Sequence, residues 1–598
     1  MTALGRRSHG ATVLAGGGVQ FRVWAPEVNA LAVELGPERR RIEMRRDGED
    51  FEAAIPDAAP GDTYSFVFDD GRTRPDPVSR SQPRGVHGPS QIVDPGAFAW
   101  SDQDWKGIAL EAYIFYELHT GTFTPAGTFA GVASKLDYLR ELGITAIELM
   151  PVAEFPGGRN WGYDGVDLYA PHSAYGGPAE LKRLVNACHR AGLAVVLDVV
   201  YNHLGPEGNY LSEFGPYFTD QYRTPWGRAM NFDGPGSDGV RRFVIENALY
   251  WLTEYHFDAL RLDAIHGIFD LSALHILAEL RDHFHAQAAH LRRQAWIIAE
   301  SDLNDVRVLN PRSMGGLGLD AQWHDEFHHA VFGYLTGANR SYLAGFDRLG
   351  QIQKAITEGF VHDGSYSAFR RRRFGSSSRD QPGYRFVAFL QNHDQVANTS
   401  QGSRLSRLVS LDQCKLAASL LLCSPYPPLL FMGEEFADAA PFLFFTSYGD
   451  PALATAVTEG RFKEFEELTC AGDFADPQAL ETFEQSRISW RLTGERDHAS
   501  MLRLYRDLIA LRKRWPCLGN GRKDLTHVHF DEQARWLRMD RGDQSGCQAV
   551  LLCNFSPDRA AFDFDEAGWQ LVLRTASVPG HARSVPAHSA LLYIRGGT

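Results

Sequence analysis

Eight short apolar runs, spaced by amphipathic helical patterns, constrain most what this chain can fold into. They read "YIFYELH", "AIELMPV", "AVVLDVVYNH", "FDALRLDAIHGI", "AWIIAES", "LDAQWHDEF", "FVAFLQNHD" and "PLLFMGEE". Strands that are apolar throughout and alternate with helices belong in a parallel sheet covered on both faces. Eight such units close into a (β/α)8 TIM barrel, and roughly 400 residues is acceptable for one that carries insertions. The fold class is therefore α/β. At 598 residues the chain is too long for one core. Before the barrel, "VQFRVWAPEVNALAVEL" and "TYSFVFDDG" are strand-like runs broken by Pro, Gly and Asp, which predicts a small β-sandwich over residues 1–95. "RTRPDPVSRSQPRGVHGPS" reads as an irregular connector. The barrel is expected over 96–520, with Met501, Leu504, Tyr505, Leu508 and Leu511 forming the apolar stripe of a closing helix. A small C-terminal β-sandwich domain, including "AVLLCNF" and "SALLYIR", is expected over 521–598.

The fourth run carries charges where a core is expected. Arg261 and Asp263 lie two residues apart and so point to the same side of the strand. A buried ion is costly unless it is paired or used. Barrel active sites form at the C-terminal ends of the strands, and here those ends hold a set of polar groups. The third offers Asp198, Asn202 and His203, the fourth Arg261, Asp263 and His266, and the fifth Glu300. The seventh offers Asn392, His393 and Asp394, and the eighth Glu434 and Glu435. A single strand-end Asp often does no more than cap the next helix. Five strands delivering carboxylates together, with His and Arg beside them, point to chemistry.

Carboxylates without Cys/His ligand clusters leave two readings: a divalent-metal site, or glycoside hydrolysis by a paired nucleophile and acid. Arg261 favours the second, because it keeps Asp263 ionised and repels a cation. The aromatics Trp161, Tyr163 and Trp323 near the strand ends also suit sugar rings. No metal and no cofactor are expected. Glu300 has no arginine beside it in sequence, so it is expected to stay protonated as a proton donor. A retaining pair predicts carboxyls about 5–5.5 Å apart.

A net charge of −14 argues against a nucleic-acid partner. Seven cysteines without repeated spacing suit a reducing cytosol better than a disulfide framework. Cys188 continues the stripe of Leu181, Leu184 and Val185 and reads as core. The stretch "MTALGRRSHGATVLAGGG" lacks an apolar signal core, and no apolar run reaches membrane-spanning length. A cytoplasmic protein is expected.

"DVVYNH", "LRLDAIH", "AES" and "QNHD", in this order and at these strand ends, resemble the four signature regions of the α-amylase family of glycoside hydrolases. The resemblance spans the whole barrel. It implies cleavage or transfer of α-glucosidic bonds with retention, with Asp263 as nucleophile, Glu300 as acid/base and Asp394 as the third carboxylate. It also implies that Arg261, His203 and His393 hold the sugar before the cut and that Tyr163, in "NWGYDGV", stacks on it. Asp198 and Asn202 match largely structural positions. His266 at the strand rim and Trp161 are further candidates for substrate binding.

Within the family, "FRVWAPEVNALAVEL" resembles the immunoglobulin-like sandwich that precedes the barrel in branching enzymes, debranching enzymes and trehalohydrolases. "DPVSRSQPRGVHGPSQIVD", "MPVAEFPGGRNWGYDGVDLYAPHSAYGGP", "VVYNHLGPEGNYL" and "AESDLND" resemble the trehalohydrolase versions of these segments. That branch implies maltooligosyl trehalose as substrate and, as pathway partner, the synthase that makes the α,α-1,1 linkage. A branching or debranching enzyme is the alternative, and a non-catalytic glucan-binding protein a more distant one. Trp161, Trp323 and "EEFADAAPFLFFTSYGD" are candidates for reading the leaving group, or equally for packing at the barrel rim.

Overall fold

A computed structural model describes residues 9–468 and 474–596. Residues 1–8 of the N-terminal stretch read for a signal, and Cys470, lie outside the described residues. All eight apolar runs become strands of one closed parallel barrel. The strands are Phe115–Leu118, Ala146–Leu149, Ala194–Val199, Ala259–Leu262, Trp296–Ala299, Ala321–Trp323, Phe386–Phe389 and Pro428–Phe431. The first pairs with the eighth, Phe115 opposite Leu429, which closes the ring and removes both sheet edges. Inside, alanines at 146, 194, 259 and 321 leave room for Phe115, Trp323, Phe389 and Leu429, so the barrel floor is a packed core.

The N-terminal strands form two antiparallel sheets. Val19–Trp24 and Asp50–Ile55 are central in one, and Leu31–Leu35 and Thr63–Phe68 in the other. The sheets meet through Phe21 and Tyr64, whose rings lie edge-on at 4.9 Å. Phe68 packs on Phe214, at 5.1 Å, and Trp24 on Tyr217, also at 5.1 Å. Both partners lie in the long loop after the third barrel strand, so the sandwich braces that loop beside the site.

The C-terminal region differs from the expected sandwich. It is a single five-stranded antiparallel sheet, Thr526–Asp531, Trp536–Gly542, Gln548–Asn554, Ser589–Arg595 and Gln570–Arg574 in spatial order. One face carries Leu551, Cys553, Leu592 and Ile594 into the main core, against the barrel helices Leu411–Cys423 and Leu349–Thr357. The other carries Val550, Leu552 and Leu591 under a loop layer of Phe562, Phe564 and Val585. Both faces are apolar because barrel helices, and not a second sheet, supply one of the two layers.

Helix Arg496–Arg514 buries Met501, Leu504, Tyr505 and Leu508 as its stripe requires, with Leu511 half-buried at its end. Cys188 is buried on helix Gly177–Arg190. The six described cysteines are free thiols, all buried. Among the described residues no helix is long and apolar enough to cross a membrane.

Candidate active site

Arg261 organises the C-terminal mouth of the barrel. It is fully buried at the end of the fourth strand, with its guanidinium 4.1 Å from the centre of the Trp323 ring. Nη1 donates to both oxygens of Asp198 at 2.9 Å and to Asp263 Oδ1 at 2.8 Å. Nη2 stands 2.9 Å from Glu300 Oε2. Asn202 Nδ2 reaches Asp263 from the other side, donating to its main-chain oxygen at 2.7 Å and to Oδ2 at 2.8 Å. Two carboxyls from adjacent strands thus face each other across one cation.

Their proton affinities diverge. Burial pushes Asp263 up, but Arg261, His203 and the Asn202 bond outweigh it and hold its carboxyl below the ordinary value. Burial raises Glu300 well above its ordinary value; Arg261 opposes this, and the nearby Asp263, Asp394 and Asp325 reinforce it. Glu300 has no arginine beside it in sequence, but the fold brings one to it. The neighbour is Arg261, distant in sequence and adjacent across the strand register. Glu300 Oε2 also accepts the Ala264 N–H at 2.7 Å. Both contacts fall on Oε2. Ala264 itself has φ 38°, a left-handed backbone strained for alanine. Its strain aims that N–H at Glu300.

Tyr163, His393 and Asp394 form the opposite wall. Tyr163 Oη donates to Asp198 Oδ2 at 2.6 Å and lies 2.8 Å from His393 Nε2, with the two rings stacked at 5.2 Å. Asp394, partly exposed, has Oδ2 3.5 Å from His393 Nε2. Burial raises Asp198 to about 7, a rise that Arg261 and the Tyr163 bond counter. His203 is kept below its ordinary value by burial, against Asp263; its Nε2 is 3.0 Å from the Tyr163 carbonyl, and Trp226 stacks on it at 5.1 Å. His266 sits at the rim, with Nδ1 3.8 Å from Asp302 Oδ1. Trp161 is buried: its indole donates to the Leu443 carbonyl at 2.9 Å and its ring lies edge-on to His393 and stacked on Phe442, each at 5.2 Å. Trp161 and Phe442 thus pack on each other in the wall behind His393.

The eighth strand departs from expectation. Gly433, at φ 85°, turns the chain so that Glu434 meets Tyr505 Oη at 2.8 Å and Glu435 meets Tyr138 Oη at 2.7 Å and Tyr116 Oη at 3.1 Å. Burial raises them to about 8 and about 7. They tie the barrel to its helices and take no part in the mouth.

The whole chain matches known proteins. The family model for the alpha-amylase catalytic domain matches residues 82–226. Malto-oligosyltrehalose trehalohydrolase of Saccharolobus solfataricus is 45% identical over 536 residues, 90% of this chain and 91% of the relative. The enzyme of that name from a Rhizobium species is 45% identical over 570 residues, 94% of each. The chain belongs to the malto-oligosyltrehalose trehalohydrolases. A crystal structure of a Salmonella typhimurium protein described as a candidate alpha amylase superposes with a TM-score of 0.91 at 39% identity, covering 99% of this chain and 100% of that one.

Three carboxylates of this trehalohydrolase-family site were not singled out from the sequence. Glu117 and Glu148 are buried on the first and second strands, opposite each other in register. Each is one acid in an apolar run, "FYELH" and "IELM", the same signal that exposed Arg261. Asp325, after the sixth strand, is raised to about 7 by burial and by Asp302 and Asp394. With Asp302, His329, Tyr342 and Arg370 it lines a small cavity, and Arg370 donates to Asp302 Oδ2 at 3.0 Å.

Proposed function

We propose that this chain is a retaining glycoside hydrolase that cleaves the α-1,4-glucosidic bond next to the terminal trehalose of maltooligosyl trehalose and releases trehalose. The observation that carries the chemistry is the single Arg261 guanidinium shared by Asp263 and Glu300, whose proton affinities are pushed in opposite directions. Two carboxyls that share one cation are placed for attack and protonation on the same bond, as a retaining pair requires.

Asp263, ionised and aimed by Asn202, attacks the anomeric carbon. Glu300 delivers its proton to the leaving glycosidic oxygen. The covalent glycosyl-enzyme is then opened by a water that Glu300, now ionised, deprotonates, and two inversions give retention. Asp394 hydrogen-bonds the sugar hydroxyls most strongly as the ring flattens. Tyr163 and His203, with His393, form the subsite before the cut, and His266 lies at its rim. Asp198 is structural and fixes Arg261; Trp161 backs His393. The cavity of Asp302, Asp325, Tyr342 and Arg370 lies on the Glu300 side, where the leaving trehalose is read. Polar groups left unpaired by a linear maltose end supply the selectivity.

The trehalohydrolase names of the relatives support the substrate, which a maltooligosyltrehalose synthase supplies. The free thiols support a cytoplasmic site of action. Incubation with maltopentaosyl trehalose and, separately, with maltoheptaose tests the reading. Rapid trehalose release from the first with little attack on the second is expected. Equal cleavage of both contradicts it, and action only on glycogen branches points to a branching or debranching enzyme.

A further inference from the structure

Behind the reacting pair lies a chain of hydrogen bonds whose protons can be counted. Tyr163 Oη has one proton, and it goes to Asp198 Oδ2, a carboxylate that also holds Arg261. The 2.8 Å bond between Tyr163 Oη and His393 Nε2 must then be donated by the imidazole. At the other ring nitrogen, His393 Nδ1 stands 2.5 Å from Glu117 Oε1, while Glu117 Oε2 accepts the His393 main-chain N–H at 3.1 Å. A carboxylate accepting on both oxygens leaves Nδ1 as a donor as well.

We infer that Glu117 is the positioning residue that holds His393 as a doubly protonated imidazolium against Asp394. This rests on His393 and Asp394 belonging to the sugar subsite. Glu117 lies beneath the mouth on the first strand and fixes both the backbone and the ring of His393, so the ring has one orientation and a charge. That charge stands 3.5 Å from Asp394 Oδ2.

Other groups around the imidazole agree with the assignment. Burial opposes its charge, as does Arg261 on the fourth strand, while burial pushes His119, after the first, down to about 3, so it adds no charge. Asp394 and Glu117 outweigh them and raise His393 to about 9. Glu148, on the second strand, has neither carboxyl oxygen bonded and is raised well above its ordinary value by burial and by Glu117, so it stays neutral and does not compete for the ring. Asp198 on the third strand and Tyr163 complete the surroundings.

The test is nitrogen-15 NMR of the imidazole in the full-length protein, with the His393 signals assigned through H393N. The wild type is expected to show both ring nitrogens protonated at pH 7. In Glu117→Gln the midpoint is expected to fall to about 6.5 or below, the ordinary histidine value. In Glu117→Asp, which keeps the charge, it is expected to stay raised. Hydrolysis by E117Q is expected to drop about ten- to a hundredfold in kcat, the worth of a charge-assisted hydrogen bond, with a smaller change in KM. A neutral imidazole in the wild type at pH 7, or an unshifted midpoint in E117Q, overturns the assignment. Because the titration needs no substrate, it stands or falls separately from the identity of the sugar.

Discussion

Asp258 and Asp263 bracket the same four-residue strand, and their surroundings could hardly differ more. At the lower end, Asp258 Oδ1 accepts the Trp105 indole N–H at 2.6 Å, and Oδ2 accepts the Val195 N–H at 2.8 Å and meets His189 Nε2 at 3.0 Å. His189 Nδ1 in turn lies 2.8 Å from Asp102, which also meets His256 at 2.8 Å and Arg293 at 3.0 Å. Both oxygens of Asp258 and both nitrogens of His189 have partners. At the upper end, Arg261 Nε, the Trp323 indole N–H and both Glu148 oxygens make no hydrogen bond, and Ala264 is held at a positive φ. Buried polar groups that are fully satisfied stabilise a fold. Groups left short of partners beside a strained turn mark where a ligand completes the set. On the proposed function, one strand does both jobs, structure at its base and chemistry at its tip.

Substitutions at the two ends should separate cleanly. Asp263→Asn is expected to cost at least about 10⁴-fold in kcat, by analogy with removal of other catalytic groups, while thermal unfolding keeps the midpoint within a few degrees. A large loss of stability would mean that the upper end is structural after all. Glu300→Gln is expected to lose about 10²- to 10⁴-fold on oligosaccharides and far less on an aryl glucoside whose leaving group needs no proton. Equal losses on both substrates would remove the general-acid role.

The pH profile of kcat/KM sharpens the same contrast. Asp263 acts ionised and its pKa is lowered, so activity is lost only as pH falls through that lowered value. Glu300 acts protonated and its pKa is raised, so activity is lost as pH rises through that raised value. A broad plateau between the two limbs is expected, and in E300Q the alkaline limb should disappear. The smallest effect belongs to the lower end. Asp258→Asn is expected to cost about 1–3 kcal/mol of stability with kcat within about twofold. Burial lowers His189, but Asp102 and Asp258 outweigh it and raise its pKa. Its contribution is therefore full below the ordinary histidine value and is lost as pH rises through the raised one. The stability gap between wild type and D258N, measured by denaturant titration, should narrow over that rise.

How much of this was legible in the sequence follows from which distances are local. Each barrel strand could be read because its apolar run is continuous and its charged end lies within a few residues. Arg261 and Asp263 could be paired because strand parity puts them on one face. The Arg261–Glu300 contact was not legible, since it depends on the register between the fourth and fifth strands, where Arg261 lies opposite Ile298. Glu434 and Glu435 were misplaced because the turn at Gly433 sends them toward Tyr505 and Tyr138, partners far away in the chain. Glu117 and Glu148 were overlooked because each is a lone acid in its run, and only barrel closure shows that their side of the strand looks up at His393. The single C-terminal sheet was read as two because apolar alternation on both faces does not say whether a sheet or a helix covers each one.

The central claim is that Asp263 forms the covalent bond while Glu300 moves the proton. The most direct measurement is to trap the intermediate with a fluorinated maltooligosyl fluoride, whose slow turnover leaves the sugar on the protein, and to locate it by peptide mass spectrometry. The account predicts a label on Asp263, formed also in E300Q when the leaving group is fluoride, together with α-configured product from the natural reaction. A label on Glu300 or Asp394, or a β-configured product released without any covalent species, would contradict it.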